Sequence, residues 1–555
     1  MIYQVFAVTG LIITIGFAAM SYWRNRKGTV NNPDYICRVG SFIDKYYLVF
    51  LLLIFAAFLM SRLLKLDSFP NGLHVDEIAV AVDAKSILLN GVDRNGFRYP
   101  VYFFDYGNGQ NALYVYIEAL LLKFAPSTIF TLRVQAVIWG AACLFAMFGI
   151  CYEITGSKGY ALMGPVLVTT LPMYIMSERW ALEAYIYLPV ATVGMYFIIK
   201  MIKYEKWYDS LLAGTFIGLS LYTYAVSYMV WPLFLVLAGI YLICIGKINI
   251  KQVVIFAIPL AILAFPLILY QLVNFHFIEP LYFLGSDYVP LTNQRGEEMS
   301  LANIPGNLAY FKELFLGGEP LTYNSFIEFG TIYMFLLPFV LIGFMICIKD
   351  TVESIKKKEF SASPLLLFFW FGGTIFMLVV EYANINRVNE LFLPFLLFIV
   401  IAVYRLFGRD SFMMSHLTVW TGLSFVFFMY FYFFIQNSVY GYHLLHTNAS
   451  AGKAILRSED QYLRDDDTKI YVQMEDEAIS PHEQIFYFAA KPGDYYTAEG
   501  ADYGRVIGSL PEEFDLNENA VYVISNNWPH IISYLISEGF AADQTLPGYS
   551  ILYRL

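Results

Sequence analysis

Long apolar runs separated by short charged turns set the rhythm of this chain. They fall near 2–22, 46–64, 129–151, 160–177, 184–202, 210–227, 229–246, 252–272, 326–348, 364–382, 391–407 and 416–436. Each is close to the ~20 residues that carry a helix across a ~30 Å hydrocarbon core at 1.5 Å per residue. The apolar positions are continuous rather than alternating, which excludes the strands of a membrane barrel. The pattern predicts a polytopic α-helical membrane protein of about twelve transmembrane helices.

Two regions break the rhythm. Residues 65–128 form the first large loop, carrying Asp76, Glu77, Asp83, Lys85, Asp93, Arg94, Arg98 and Asp105. Within it, Glu77 to Leu89 reads as a short amphipathic helix, with Asp76 and Asp83 seven apart on one face. Asn111 to Phe124 is apolar and barely long enough to span, which fits a helix lying in the bilayer interface. From about Asn437 the chain turns polar. Strands at Lys469–Met474, Ala520–Ser525 and Ser550–Leu555 alternate with helices at His482–Ala490 and His530–Gly539, predicting a small C-terminal α/β soluble domain. The expected division is 1–44, an extra N-terminal span and loop; 45–436, a transmembrane module; and 437–555, the soluble domain.

Charge assigns the two sides. Ile2 to Tyr22 precedes Arg24-Asn25-Arg26-Lys27, the reverse of a signal peptide, and reads as an uncleaved span with its N-terminus outside. The loops then expected inside carry Lys158, Lys200/Lys203/Lys206, Lys247/Lys251, Lys349/Lys356/Lys357/Lys358 and Arg405/Arg409. All six inner loops are basic, as the positive-inside rule requires. Loop 65–128, the Ser177–Glu183 turn, loop 273–325, the Glu381–Glu390 turn and the tail face the opposite side.

Composition agrees: 58% hydrophobic and 14% charged residues are too few charges for a water-exposed chain. The net charge of −10 belongs to the tail, where 18 acidic residues face 7 basic ones from Asn437 onward. Such a tail argues against nucleic acid or anionic phosphate polymers as its main ligand. The five cysteines (Cys37, Cys143, Cys151, Cys244, Cys347) lie in or beside apolar runs, offering no disulfide framework or metal cluster. The Asn448-Ala449-Ser450 sequon carries information only in a glycosylating secretory pathway.

Asp76 follows Pro70-Asn71-Gly72 and opens a helix at the expected membrane surface. An Asp there is an ordinary N-cap, worth ~1 kcal/mol. A partly desolvated carboxylate is also a competent general base for an acceptor hydroxyl, and a cap holds it still. Arg133, Glu178, Arg179, Glu183, Glu381, Arg387 and Glu390 are further charges at outer span ends. Single arginines there snorkel to headgroups, whereas several converging beside a carboxylate clamp a leaving phosphate. His74 beside Asp76 lacks a spaced partner and is a weak metal ligand.

In these residues the chain resembles the GT-C superfamily of lipid-phosphate-sugar-dependent glycosyltransferases, of the protein O-mannosyltransferase and aminoarabinose-transferase type. That family carries an acidic pair early in the first outside loop, here Asp76-Glu77. An interfacial helix, a short turn and an Arg opening the next span follow, here Asn111–Phe124, Ala125-Pro126-Ser127 and Arg133. Ser177-Glu178-Arg179 with Glu183, and Asn384-Ile385-Asn386-Arg387, match two later polar turns. Gln110-Asn111-Ala112-Leu113 stands where the family has Pro-Pro-Leu, and Glu183 where many members have Asp. The resemblance covers roughly 45–410 and leaves the first span and the C-terminal domain outside it.

The resemblance implies sugar transfer from a polyprenyl-phosphate donor to an acceptor hydroxyl on a protein, glycan or lipid, outside the plasma membrane. Asp76, with Glu77 and Glu183, forms the implied catalytic set, Asp76 being the general base that inverts the anomeric carbon. Arg387, Arg133, Lys85 and Arg179 are the implied phosphate-binding groups. No cofactor is required; Glu183 orients the surroundings of Asp76, or joins it and His74 around a divalent cation. Two rivals use the same sidedness: a lipid-linked sugar flippase, which needs charged sites near the midplane, and a polysaccharide polymerase. A tail-borne surface sensor fits twelve spans poorly.

Overall fold

The structure, a computed structural model, describes residues 2–26, 34–70, 72–105, 108–292, 299–316, 326, 328–408, 411–435, 449–463, 465, 467–473, 481–497, 502–546 and 548–554. Lys27, Asn71, Tyr106, Gly107, Arg409, Asn437, Asn448, Asp466, Met474 and Leu555 lie outside the described residues. The chain divides into two compact units: Met1–Leu64, Ala136–Gln271 and Asn293–Tyr432 form one, and Lys65–Gln135, Leu272–Thr292 and Phe433–Leu555 the other.

The first unit is a helical bundle, and the chain is a multi-pass membrane protein. Eight described helices are long and apolar enough to cross a membrane, among them Ile129–Thr155, Glu183–Tyr204, Ser227–Cys244 and Ile385–Phe407. The expected spans at 46–64 and 364–382 are 17-residue apolar helices, Tyr47–Leu63 and Ser363–Val379. That at 210–227 is the shorter Trp207–Ser220. The run at 160–177 is broken into Lys158–Ala161, Met163–Thr170 and Pro172–Ser177. Leu171 is extended there, and Pro172, lacking an N–H, starts the last helix.

Burial separates the centre of this bundle from its rim. In the most apolar stretch of Ile385–Phe407 83% of the residues are buried and in that of Glu183–Tyr204 72%, whereas in that of Ile250–Asn274 only 17% are. A helix apolar all round is stable either inside protein or against lipid, so the first two form the core and the last lies on the rim, as a lipid-facing helix would. Gly343 permits the close approach of Leu337–Lys357 to the core helix: a Cβ there would overlap the Phe398 carbonyl.

The second unit is built from three distant stretches. Val75–Asn90 and Ala112–Leu122 pack together, linked through the antiparallel pair Tyr102–Asp105 and Asn108–Asn111. The tail helix Pro481–Ala489 packs on Val75–Asn90. A six-stranded sheet runs in the order Asp502–Tyr503, Val506–Ile507, Lys469–Gln473, Ala520–Ser525, Tyr549–Tyr553, Ala541–Asp543. Its three longer strands and two helices lie where the alternation predicted them, and the three short strands were not anticipated. The tail expected as 437–555 shares this unit with residues 65–135 and 272–292.

One expected element differs in kind. The helix Val75–Asn90 is not amphipathic: Glu77 to Ala84, Ser86 and Ile87 are all buried. Neighbours on several sides enclose it, so its polar residues, Asp83 included, are interior groups needing partners rather than a solvated stripe.

Candidate active site

The loop helix begins with a device that sequence reasoning assigned to the wrong residue. His74, in extended conformation, is the N-cap, and its Nδ1 accepts from the Asp76 backbone N–H at 3.0 Å. The Glu77 carboxylate accepts from the His74 backbone N–H at 3.0 Å, closing a capping box in which histidine takes the usual Ser/Thr role. Asp76 is therefore not the cap. Its side chain is 42% exposed, with Oδ2 3.7 Å from His74 Nδ1.

Glu77 and Arg133 satisfy each other beneath it. Both side chains are fully buried. Arg133 Nε and Nη2 donate to Glu77 Oε1 and Oε2, each at 2.9 Å. Its remaining N–H groups reach the carbonyls of Leu66 at 3.3 Å, Pro70 at 2.9 Å and Gly72 at 2.7 Å. All five donors are spent on the turn and on the helix start. The geometry is thus that of a brace holding Asp76, rather than of a phosphate clamp or a second catalytic acid.

Lys85 departs from expectation by helical arithmetic. Nine residues along a continuous helix move it roughly 13 Å and half a turn from Asp76, onto the opposite face. There Nζ donates to Ser127 Oγ at 2.9 Å, and burial lowers its pKa. One phosphate adjoining the reacting carbon does not meet both side chains.

Two buried networks in this unit were invisible in the sequence. Arg94 sits among three carboxylates, 2.7 Å from Asp105, 2.9 Å from Glu483 and 3.6 Å from Asp83. Burial pushes Asp83 up to about 8, with Arg94 opposing. Glu118, on Ala112–Leu122, accepts from the Tyr487 hydroxyl at 3.2 Å and from Gln135 at 3.4 Å. Burial raises it to about 8.

In the bundle, Arg179 is fully buried and donates to the carbonyls of Ser61, Arg62 and Leu64, holding the end of Tyr47–Leu63. Arg62, unremarked in the sequence, pairs with Glu178 at 2.8 Å and donates to the Val168 and Thr169 carbonyls. Its only signal was a lone arginine in the last turn of an apolar run. Glu183 is a buried residue opening Glu183–Tyr204. Arg387 is partly exposed; its guanidinium donates to the Glu381 carbonyl and its backbone N–H to Asn384 Oδ1. Glu390 is fully buried in the core span, and neither carboxylate oxygen has a partner among the described residues.

Among the described residues no group of three or more His, Cys, Asp or Glu side chains is arranged to hold a divalent cation. His74 Nδ1 is committed to the Asp76 amide, which removes that nitrogen from the suggested trio.

This chain has the fold of the GT-C membrane glycosyltransferases. Two crystal structures of ArnT from Cupriavidus metallidurans are similar to it at 11% identity: the form bound to undecaprenyl phosphate, with TM-score 0.51, and the apo form, with 0.52. The first covers 92% of this chain and 98% of that one, the second 92% and 97%. The Archaeoglobus fulgidus oligosaccharyltransferase in its apo form is similar at TM-score 0.50 and 13% identity, over 84% of this chain and 62% of that one. Neither a family model nor a curated protein matches the chain. The 92% coverage reaches well beyond 45–410, so the likeness extends past the limits expected from the motifs.

Proposed function

We propose that the protein is a membrane glycosyltransferase that moves a sugar from a polyprenyl-phosphate donor to an acceptor hydroxyl on the extracytoplasmic side, with inversion. The observation that carries this reading is the contrast at the start of Val75–Asn90. Glu77 is buried and fully engaged, while the neighbouring Asp76 carboxylate is partly exposed and left out of the cap. A carboxylate held on a braced helix start is suited to take the proton of an attacking hydroxyl, a role worth about 10²–10⁴ in rate. The GT-C fold, and the undecaprenyl phosphate bound by one similar protein, support a lipid-phosphate donor. The phosphate is itself the leaving group, so no protein acid is needed.

Arg387, partly exposed at the start of the core span, is the proposed partner of the departing phosphate. Glu77, Arg133 and Arg179 are reassigned as positioning residues, and Glu183 remains a proposed organiser of the site. The sidedness rests on the six basic loops. Asp76→Asn is expected to leave the protein in the membrane while lowering transfer from a synthetic polyprenyl-phosphate sugar by at least 10². Full activity of that variant removes the assignment.

A second reading, lipid-linked sugar transport, draws support from one observation. Glu390 is a fully buried ionisable residue near the start of the core span, and buried ionisable residues of spans often mark transport pathways. Flipping of a fluorescent lipid-linked sugar in proteoliposomes without acceptor, abolished by Glu390→Gln and untouched by Asp76→Asn, is the outcome that favours it.

A further inference from the structure

A cavity of about 240 Å³ in the second unit is lined by Asp67, Thr128, Ile129, Lys453, Leu456, Arg457, Phe488 and Leu546. Its position is set by the chain: Asp67 lies four residues beyond the end of Tyr47–Leu63, and Ile129 is the first residue of the span Ile129–Thr155. Two of its lining residues thus follow or open apolar helices in the sequence, where a chain that spans a bilayer leaves or enters it. Lys453 and Arg457, one turn apart on Ala449–Arg457, supply its positive charge. Their side chains are only 28% and 30% exposed.

Neither cation is used up by the protein. Lys453 Nζ donates to Ser68 Oγ at 3.2 Å and stands 3.8 Å from Asp67 Oδ2. Arg457 spends Nη1 on Asp543 at 2.9 Å and Thr545 at 2.6 Å, leaving Nε and Nη2 without acceptors among the described residues. Arg133 and Arg457 both disfavour charge on Lys453, adding to the desolvation that lowers its pKa. The Asp67 and Asp543 carboxylates offset part of this positive field. An anion seated between Lys453 and Arg457 would supply the missing acceptors in charge-assisted form. The apolar part of the lining, a wall of Ile129, Leu456, Phe488 and Leu546, adjoins the two cations.

We propose that this cavity binds the phosphate headgroup of an anionic bilayer phospholipid, with Lys453 and Arg457 on the phosphate and the apolar wall against the glycerol and first acyl carbons. The volume lies below the ~300–1,000 Å³ of pockets that enclose a whole ligand, which fits a headgroup rather than a complete sugar donor. A local cation pair thus docks an acidic tail on a surface its net charge of −11 would otherwise avoid. The inference is independent of the proposed sugar transfer.

The test is native mass spectrometry of the detergent-solubilised full chain, titrated separately with phosphatidylglycerol, phosphatidylcholine and inorganic phosphate. Phosphatidylglycerol is expected to bind at least tenfold more tightly than phosphatidylcholine, and Lys453→Gln with Arg457→Gln to remove that preference. Because Arg457 also holds Asp543 and Thr545, Lys453→Gln alone and the cavity-filling Leu456→Trp are measured beside it, and each is expected to weaken phosphatidylglycerol several-fold. Unchanged lipid preference in Lys453→Gln and Leu456→Trp overturns the proposal. So does inorganic phosphate binding as tightly as phosphatidylglycerol, since the apolar wall would then contribute nothing.

Discussion

Replacing Arg133 by methionine keeps much of the side-chain volume but strands the Glu77 carboxylate where neither side chain has any exposed surface. Losing one partner of a buried pair costs about 3–5 kcal/mol, because the remaining charge stays desolvated. The carbonyls of Leu66, Pro70 and Gly72 lose a donor as well, although a turn near the surface regains water more readily than a core does. Against a typical total of 5–15 kcal/mol, a loss of about 3–5 kcal/mol is a large fraction of the stability. Adding Glu77→Gln to Arg133→Met removes the stranded charge, and the introduced amide oxygen still caps the His74 N–H. The pair should therefore recover about 2 kcal/mol relative to additivity. The assay is thermal and chemical unfolding of all four proteins in detergent, with sugar transfer measured in parallel. A brace predicts lost stability, a lower kcat from a misplaced Asp76, and little change in apparent donor KM. A phosphate ligand predicts the opposite split. If Arg133→Met raises donor KM and costs less than about 1 kcal/mol, the brace reasoning fails.

Arg387→Ala is expected to raise apparent donor KM by about 10-fold or more while leaving Tm nearly unchanged, read from donor titrations and thermal unfolding. Arg94→Met leaves Asp83, Asp105 and Glu483 without their shared cation and should expose the tail to limited proteolysis while the apolar helices stay protected. Glu118 gives a pH signature. Its folded pKa, about 8, lies above the unfolded 4.5, so its contribution is complete below about 4.5 and is lost as pH rises through 8. Glu118→Gln should flatten the fall in Tm between pH 5 and 8, leaving the part due to Asp83, which is raised in the same direction.

What the sequence revealed follows from the range of each interaction. A span is a local property, since twenty apolar residues meet a fixed thickness wherever they occur in the chain. The alternation of short strands and helices in the tail is local too, and those elements fall where the pattern put them. The Arg94 to Glu483 pair joins residues 389 apart, and no periodicity announces it. The same holds for Tyr487 on Glu118. The misassigned cap has another cause: histidine is not among the usual capping residues, so Asp76 drew the assignment by residue type alone.

Lys85 is the instructive case, because the information needed was already present. A helix through 77–89 with a base at its start and a phosphate ligand nine residues later contradicts its own period, which turns the two side chains half a circle apart. Family order brought them into one list, but helical geometry separates them. Of the charged residues first grouped around Asp76 in this unit, Glu77 and Arg133 lie beneath it and Lys85 behind it, so the face of the helix start that remains open is the one bearing Asp76 itself. On the proposed reading the acceptor meets this carboxylate, which is why Asp76→Asn tests the function while Arg133→Met tests the support.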